Sequence, residues 1–300
     1  MTMNVSIRAC HGSLRPLLGP TRLAWLVVVC LWSVSASAAY ISETRNIVSS
    51  GISRSFVIAR PITIPVGTTL PLVFSLHGDG GSGASMRSAL PLEAEAATGA
   101  VFIYPNAPGS TFEYYTYDGR SREALFITEL IAAMQTEFGI DTTRVFVVGF
   151  SGGATMANAL GCRLGPSVLR GLGIHSGSLY PINNSMGVPD FTYTGNGGVS
   201  CPLPAAAFMW GENDNTAGVS FATGQSVRNN YAATQGCVAA TTPSLVSPCV
   251  SYIGCTRGLD WCPIPGMGHS IWSQAAPAIW QFIAASTQSG PADPIFSNGF

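Results

Sequence analysis

The 300-residue chain contains no lysine; all 14 of its cationic side chains are arginines. Several chemistries leave with that amine. A Schiff-base or pyridoxal-phosphate enzyme needs a lysine nitrogen, and so do a Ser–Lys dyad and a P-loop that grips phosphate. Charge of either sign is scarce, at 10% of residues, with a formal net of −1. No cluster of arginines forms the basic stripe by which a protein holds nucleic acid. Histidine is nearly absent, with four in the chain, so the search for a catalytic base is short. The apolar runs fall short of the roughly 20 residues needed to cross a bilayer, so no membrane association is expected. The cysteines lack the C-x-x-C spacing of structural zinc sites. No metal and no cofactor are expected.

What is present begins with an address. Arg8, Arg15 and Arg22 precede an apolar run, Leu23 to Val34, that ends in Ala36-Ser37-Ala38. A positive segment, an apolar core and a small-x-small site read as a secretory leader. Residues 1–38 are therefore expected to be removed and the protein exported. Without those three arginines, 11 of the 14 remain against 15 acidic residues, a net of −4. The eight cysteines become six: Cys162, Cys201, Cys237, Cys249, Cys255 and Cys262. An even count in an exported protein implies disulfides, with 15 possible pairings.

Residues 39–286 read as one α/β domain, and the Pro-, Gly- and Ser-rich stretch 287–300 as a loose tail. From Ile47 to Ile64 the pattern alternates in strand fashion. Strands are then expected at Leu70–Leu76, Ala100–Tyr104, Arg144–Phe150, Leu169–Ile174, Ala205–Trp210 and Leu259–Ile264. Helices are expected at Ala84–Ala97, Glu123–Phe138, Gly153–Leu164 and Ala275–Ala285. Continuous apolar strands alternating with amphipathic helices specify a mostly parallel sheet covered on both faces. In such sheets the site lies beyond the carboxyl ends of the strands.

Gly149-Phe150-Ser151-Gly152-Gly153 is a G-x-S-x-G sequence fed by the strand residues Val145-Phe146-Val147-Val148 and followed by a helix. Strand, sharp turn and helix are the setting of a nucleophile elbow. A serine hydroxyl there needs a base to take its proton. His11 lies in the leader, and His77 lies upstream of Ser151. His175 follows Ser151 by only 24 positions, leaving no room for an acid-bearing strand between them. His269 remains, in a loop between the last strand and the last helix. Of the acids between Ser151 and His269, Asp190 has no strand leading to it and Asp260 falls within a strand. Glu212 and Asp214 both follow Ala205–Trp210. Asp214 is preferred, because there the chain has left the sheet and can turn toward the histidine; Glu212 is the alternative. The glycine-rich His77-Gly78-Asp79-Gly80-Gly81 follows the first core strand, where an oxyanion loop belongs. The backbone N–H groups of Asp79 and Gly152 are the candidate donors. His77 is expected to brace that loop.

With these pieces placed, the chain resembles the secreted feruloyl esterase and polyhydroxybutyrate depolymerase-like group of α/β hydrolases. The resemblance spans roughly Val57 to Ala285. It rests on LPLVFSLHGDGGSG, DTTRVFVVGFSGGATMANALGC, WGENDNT and GMGHSIW. In that group the acid segment resembles HGTAD, which aligns with Trp210 to Asp214 and favours Asp214. The histidine segment resembles GGGHTWP, matching Gly266 to His269. The cysteines in ATQGC and YIGC match a recurrent pair, which implies Cys237–Cys255. Parity, export and the resemblance together suggest Cys162–Cys201 and, by remainder, Cys249–Cys262; Cys237–Cys249 with Cys255–Cys262 stays open.

Trp210 stands where the group has histidine, Trp272 is displaced from the group's tryptophan, and Tyr114, Tyr115 and Tyr117 replace paired tryptophans. Trp210, Trp272, Tyr114 and Tyr115 are the candidate substrate-binding residues, where an aromatic ring or sugar would stack. The resemblance implies hydrolysis of carboxylic esters: feruloyl or acetyl esters of plant polysaccharide, or a polyhydroxybutyrate polyester. A serine peptidase and a non-catalytic secreted binding protein are the competing readings.

Overall fold

The computed structural model describes residues 40–97 and 99–288; the expected leader and nearly all of the expected tail lie outside them. Strands are β1 (Tyr40–Ser49), β2 (Ile52–Pro61), β3 (Leu72–Leu76), β4 (Val101–Pro105), β5 (Val145–Phe150), β6 (Gly171–His175), β7 (Ala205–Gly211), β8 (Thr241–Pro243), β9 (Val250–Tyr252) and β10 (Leu259–Ile264). Helices are α1 (Gly83–Ala89), α2 (Leu92–Ala96), α3 (Tyr117–Phe138), α4 (Gly152–Leu164), α5 (Phe221–Gln235) and α6 (Ala275–Gln288).

The strands form one sheet in the order β1-β2-β4-β3-β5-β6-β7-β10-β9-β8. Its centre, from β4 to β10, is parallel, and antiparallel hairpins finish both edges. β3, β4 and β6 are buried along their whole length, as the continuous apolar runs require of strands covered on both faces. Two apolar layers result. Leu72, Phe74, Val145 and Val147 face α3 and α4, and Val73, Phe102, Phe146 and Val148 face α1, α2 and α6.

Several sequence expectations are corrected. The single helix Ala84–Ala97 is two, because Pro91 lacks the N–H to continue α1. The helix expected from Glu123 starts at Tyr117, capped by the Thr116 hydroxyl, which accepts from Gly119 N. The alternating segment begins at Tyr40 and folds back at Ser50-Gly51, both at positive φ. The last helix runs to Gln288, past the expected domain boundary. Helix α5 and the hairpin β8–β9 were not expected.

One buried ion pair binds the edge hairpin to the core. Arg54 on β2 donates to the Glu123 carboxylate on α3 at 2.9 Å, and its guanidinium lies 4.0 Å from the Phe126 ring centroid. The six cysteines pair as Cys162–Cys201, Cys237–Cys255 and Cys249–Cys262. The first ties α4 to the segment entering β7, and the other two hold the chain between α5 and β10. Among the described residues no helix is long and apolar enough to cross a membrane.

Candidate active site

The carboxyl ends of β3, β5, β7 and β10 each deliver one part of the site, and chain sterics explain how. At the end of β5 the backbone turns so sharply that Ser151 takes φ 54°, ψ −120°, a conformation costly for a side-chain-bearing residue. The strain is held by packing. A Cβ on Gly149 would strike the backbone of Gly153 and Ala154, and one on Gly153 would strike Leu76 and His77. Both glycines of the motif are therefore required for β5, α4 and β3 to approach. Ser151 N donates to His175 O at 2.9 Å, which fixes the turn from the neighbouring strand.

Beyond β7 and β10 two loops are laced together: Glu212 N donates to Ile264 O at 3.0 Å and Asn213 N to Met267 O at 2.9 Å. The lacing sends Asp214 inward and leaves Glu212 exposed. Asp214 Oδ2 lies 2.7 Å from His269 Nδ1, and His269 Nε2 lies 2.9 Å from Ser151 Oγ. Asp214 Oδ1 also accepts from Thr216 N at 3.0 Å. Burial raises the Asp214 carboxyl's pKa, but the hydrogen bonds from His269 and Thr216 outweigh it and hold it below the usual value. An ionised carboxylate only accepts, so Nδ1 carries the proton and Nε2 offers its lone pair to the serine hydroxyl.

The two remaining histidines of the described chain brace the site. His77 Nδ1 donates to Gly78 O at 2.8 Å and Nε2 accepts from Ala107 N at 3.1 Å, an assignment that keeps the ring neutral. Burial lowers its pKa. His175 is wholly enclosed, which pushes its pKa down to about 3. Its Nε2 accepts from Trp272 N at 3.0 Å, anchoring the chain just past His269. The Phe150 ring lies between them, 5.3 Å from His175 and 5.0 Å from His269.

The backbone N–H groups of Asp79 and Gly152 are not spent on any acceptor among the described residues. Tyr114 stands beside them, its hydroxyl donating to Asp79 Oδ2 at 2.6 Å. Tyr115 meets Tyr114 edge-to-face at 5.6 Å and is 56% exposed. Trp272 is half-buried next to the histidine loop. Trp210 is a correction. It is 0% exposed, its Nε1 donates to Val219 O at 2.8 Å, and its ring lies against α5 at Gly224. A side chain inside the core cannot line a substrate cleft. Sequence reasoning also missed Tyr180 and Arg120. Arg120 is buried in α3 and donates to the carbonyls of Tyr114 and Tyr180. Arg120 stands with Arg122 among the polar residues that open α3, and nothing in that run marks which of the two is buried.

The profile of the family described as Esterase PHB depolymerase matches residues 69–201. The "Probable feruloyl esterase C" of Aspergillus terreus is 27% identical over 251 residues, covering 78% of this chain and 84% of that protein. The "Poly(3-hydroxybutyrate) depolymerase" of Ralstonia pickettii is 32% identical over 88 residues, 26% of this chain and 18% of that protein. Among solved structures, the acetyl xylan esterase from Aspergillus awamori superposes with a TM-score of 0.60 at 16% identity, over 80% of this chain and 99% of that one. A ferulic acid esterase from Anaeromyces mucronatus superposes with a TM-score of 0.53 at 16% identity, over 83% and 91%. At these identities the superpositions show the α/β-hydrolase fold. On the sequence match, residues 69–201 are similar to the family described as Esterase PHB depolymerase, and the chain is a distant relative of the fungal feruloyl esterases C, with a shorter stretch similar to PHB depolymerase.

Proposed function

We propose that this protein is an exported serine hydrolase of carboxylic esters, with Ser151 as nucleophile, His269 as general base and acid, and Asp214 as the group that orients His269. The observation that carries the reading is the continuous chain from Asp214 Oδ2 through His269 to Ser151 Oγ, with links of 2.7 and 2.9 Å. Nε2 takes the hydroxyl proton as Oγ attacks the ester carbonyl. The N–H groups of Asp79 and Gly152 receive the resulting oxyanion. Collapse expels the alcohol, which takes the proton back from His269 and leaves an acyl-serine. Water, deprotonated by His269, then releases the acid and restores Ser151. Asp214 fixes the tautomer and stabilises the imidazolium throughout.

For the substrate we propose feruloyl or acetyl esters linked to plant polysaccharide. Support comes from the similarity to proteins named as probable feruloyl esterases C, matched over 84% of their length, and from the tyrosine pair beside the oxyanion donors. Cleavage of a polyester is the second reading, favoured by the family description and by the short depolymerase match. The reading of residues 1–38 as a leader, together with three disulfides, supports export. A panel of methyl ferulate, acetylated xylan, short p-nitrophenyl esters and polyhydroxybutyrate film decides among substrates. The proposal expects methyl ferulate or acetylated xylan to give the highest kcat/KM. Release of hydroxybutyrate from film with neither of those hydrolysed would transfer the assignment to the polyester.

A further inference from the structure

Asp79 puts a carboxylate where an ester hydrolase has little use for one. Its backbone offers an N–H to the proposed oxyanion, and its side chain stays at the same place. A methyl group built on Gly152 would collide with that carboxylate, meeting Cγ at 2.6 Å and Oδ2 at 2.9 Å. The carboxylate thus fills the space a side chain following the nucleophile would take, and only glycine at 152 admits it.

The placement is held from behind. Tyr114 Oη donates to Asp79 Oδ2 at 2.6 Å. Burial, then the contact with Asp79, raises the Tyr114 hydroxyl's pKa, so it remains a donor at working pH. Arg120, 2% exposed, fixes Tyr114 by donating to its carbonyl at 2.7 Å. The same guanidinium donates to Tyr180 O at 3.0 Å and to the Asp190 carboxylate at 2.8 Å. One buried cation therefore sets both loops beside the carboxylate.

Negative charge next to a developing oxyanion opposes the reaction unless a donor is brought to it. A carboxylate accepts about four hydrogen bonds, Tyr114 supplies one, and Asp79 is otherwise exposed. The donors that an uncharged ester can bring this close are its own hydroxyls. We propose that Asp79, positioned by Tyr114, is a specificity determinant that accepts a hydrogen bond from a substrate hydroxyl one or two carbons from the scissile ester. The inference rests on the Ser151, His269 and Asp214 reading and adds the substrate feature that the site selects. The hydroxyl can belong to the acyl group or to the alcohol, and the contact is the same.

Two matched pairs test it: methyl 3-hydroxybutyrate against methyl butyrate for the acyl side, and 2-hydroxypropyl butyrate against propyl butyrate for the alcohol side. Wild type is expected to favour the hydroxylated member of one pair by about tenfold or more in kcat/KM, as hydrogen bonds to charged groups do. The responding pair identifies the side. Asp79→Ala keeps the backbone N–H and is expected to bring that ratio to within about twofold of unity. Tyr114→Phe, which frees the carboxylate, should lower it part of the way. A merely structural role would slow both members of a pair equally and leave the ratio where it was. An unchanged ratio in both variants, or a wild-type ratio near one in both pairs with brisk hydrolysis, overturns this inference alone. Wild type that hydrolyses none of the four esters removes the esterase reading and this inference with it.

Discussion

Asp214 and Glu212 are two positions apart in one loop, and their surroundings separate them. Asp214 is enclosed and bonded to His269 Nδ1, whereas Glu212 is exposed. Asp214→Asn should lower kcat by about 10⁴-fold, because an amide allows the wrong imidazole tautomer. Glu212→Gln should change kcat by less than about twofold, as an exposed side chain outside the proton path. Steady-state kinetics on a p-nitrophenyl ester check both, and the reverse ranking would move the acid to Glu212.

A second residue-scale prediction concerns Asp260, whose carboxyl burial pushes up to about 6 against the opposing hydrogen bond from Ser251. A carboxyl whose folded pKa is raised favours folding in its protonated form. That contribution is full below about pH 4 and is lost as pH rises through 6, on the order of 3 kcal/mol in total. Asp260→Asn should therefore raise the thermal midpoint at pH 8 and leave it nearly unchanged at pH 4. Equal destabilisation at both pH values would contradict this. The serine, acid and histidine of the candidate site were legible as residues, because chain order and four histidines left few combinations. Trp210 was misread because alignment with a loop-entry position ignored that it lies within a strand buried along its length.

At the scale of elements, the central strands were legible because apolar residues run unbroken through them. Helix α5 was not. It buries Gly224, Val227, Tyr231 and Gln235, a face with only two large apolar side chains in 15 residues, which gives a weak apolar rhythm. Its real signals were the caps: the Ser220 hydroxyl accepts from Thr223 N, and Gly236 closes the helix at φ 67°. Beyond α5 the hairpin β8–β9 has only three residues per strand, and most of its side chains are exposed or half-buried. The bridges Cys237–Cys255 and Cys249–Cys262 compensate. Closing loops with separations of 18 and 13 residues contributes about 3 kcal/mol each in the chain-entropy account. Since β10 runs directly into the His269 loop, reduction should disturb the site before the sheet. Along a dithiothreitol titration, ester hydrolysis should fall ahead of the far-ultraviolet circular dichroism. Coincident loss of the two signals would show that the bridges support the whole domain and not this region.

Across the whole molecule, one architectural feature underlies the proposed chemistry. Parallel strands point their carboxyl ends the same way, so β3, β5, β7 and β10 bring the Asp79 loop, Ser151, Asp214 and His269 to one edge from positions far apart in the chain. The central claim is that this convergence activates Ser151 and no other serine. A fluorophosphonate tests it most directly, since only an activated hydroxyl displaces fluoride to form the Oγ–phosphorus bond. Intact mass and peptide mapping of the treated protein should show one adduct, on the peptide bearing Ser151. Ser151→Ala and His269→Ala, with circular dichroism unchanged, should show none and should lose about 10³-fold or more of ester hydrolysis. An adduct on another serine, or wild-type turnover in Ser151→Ala, would contradict the account.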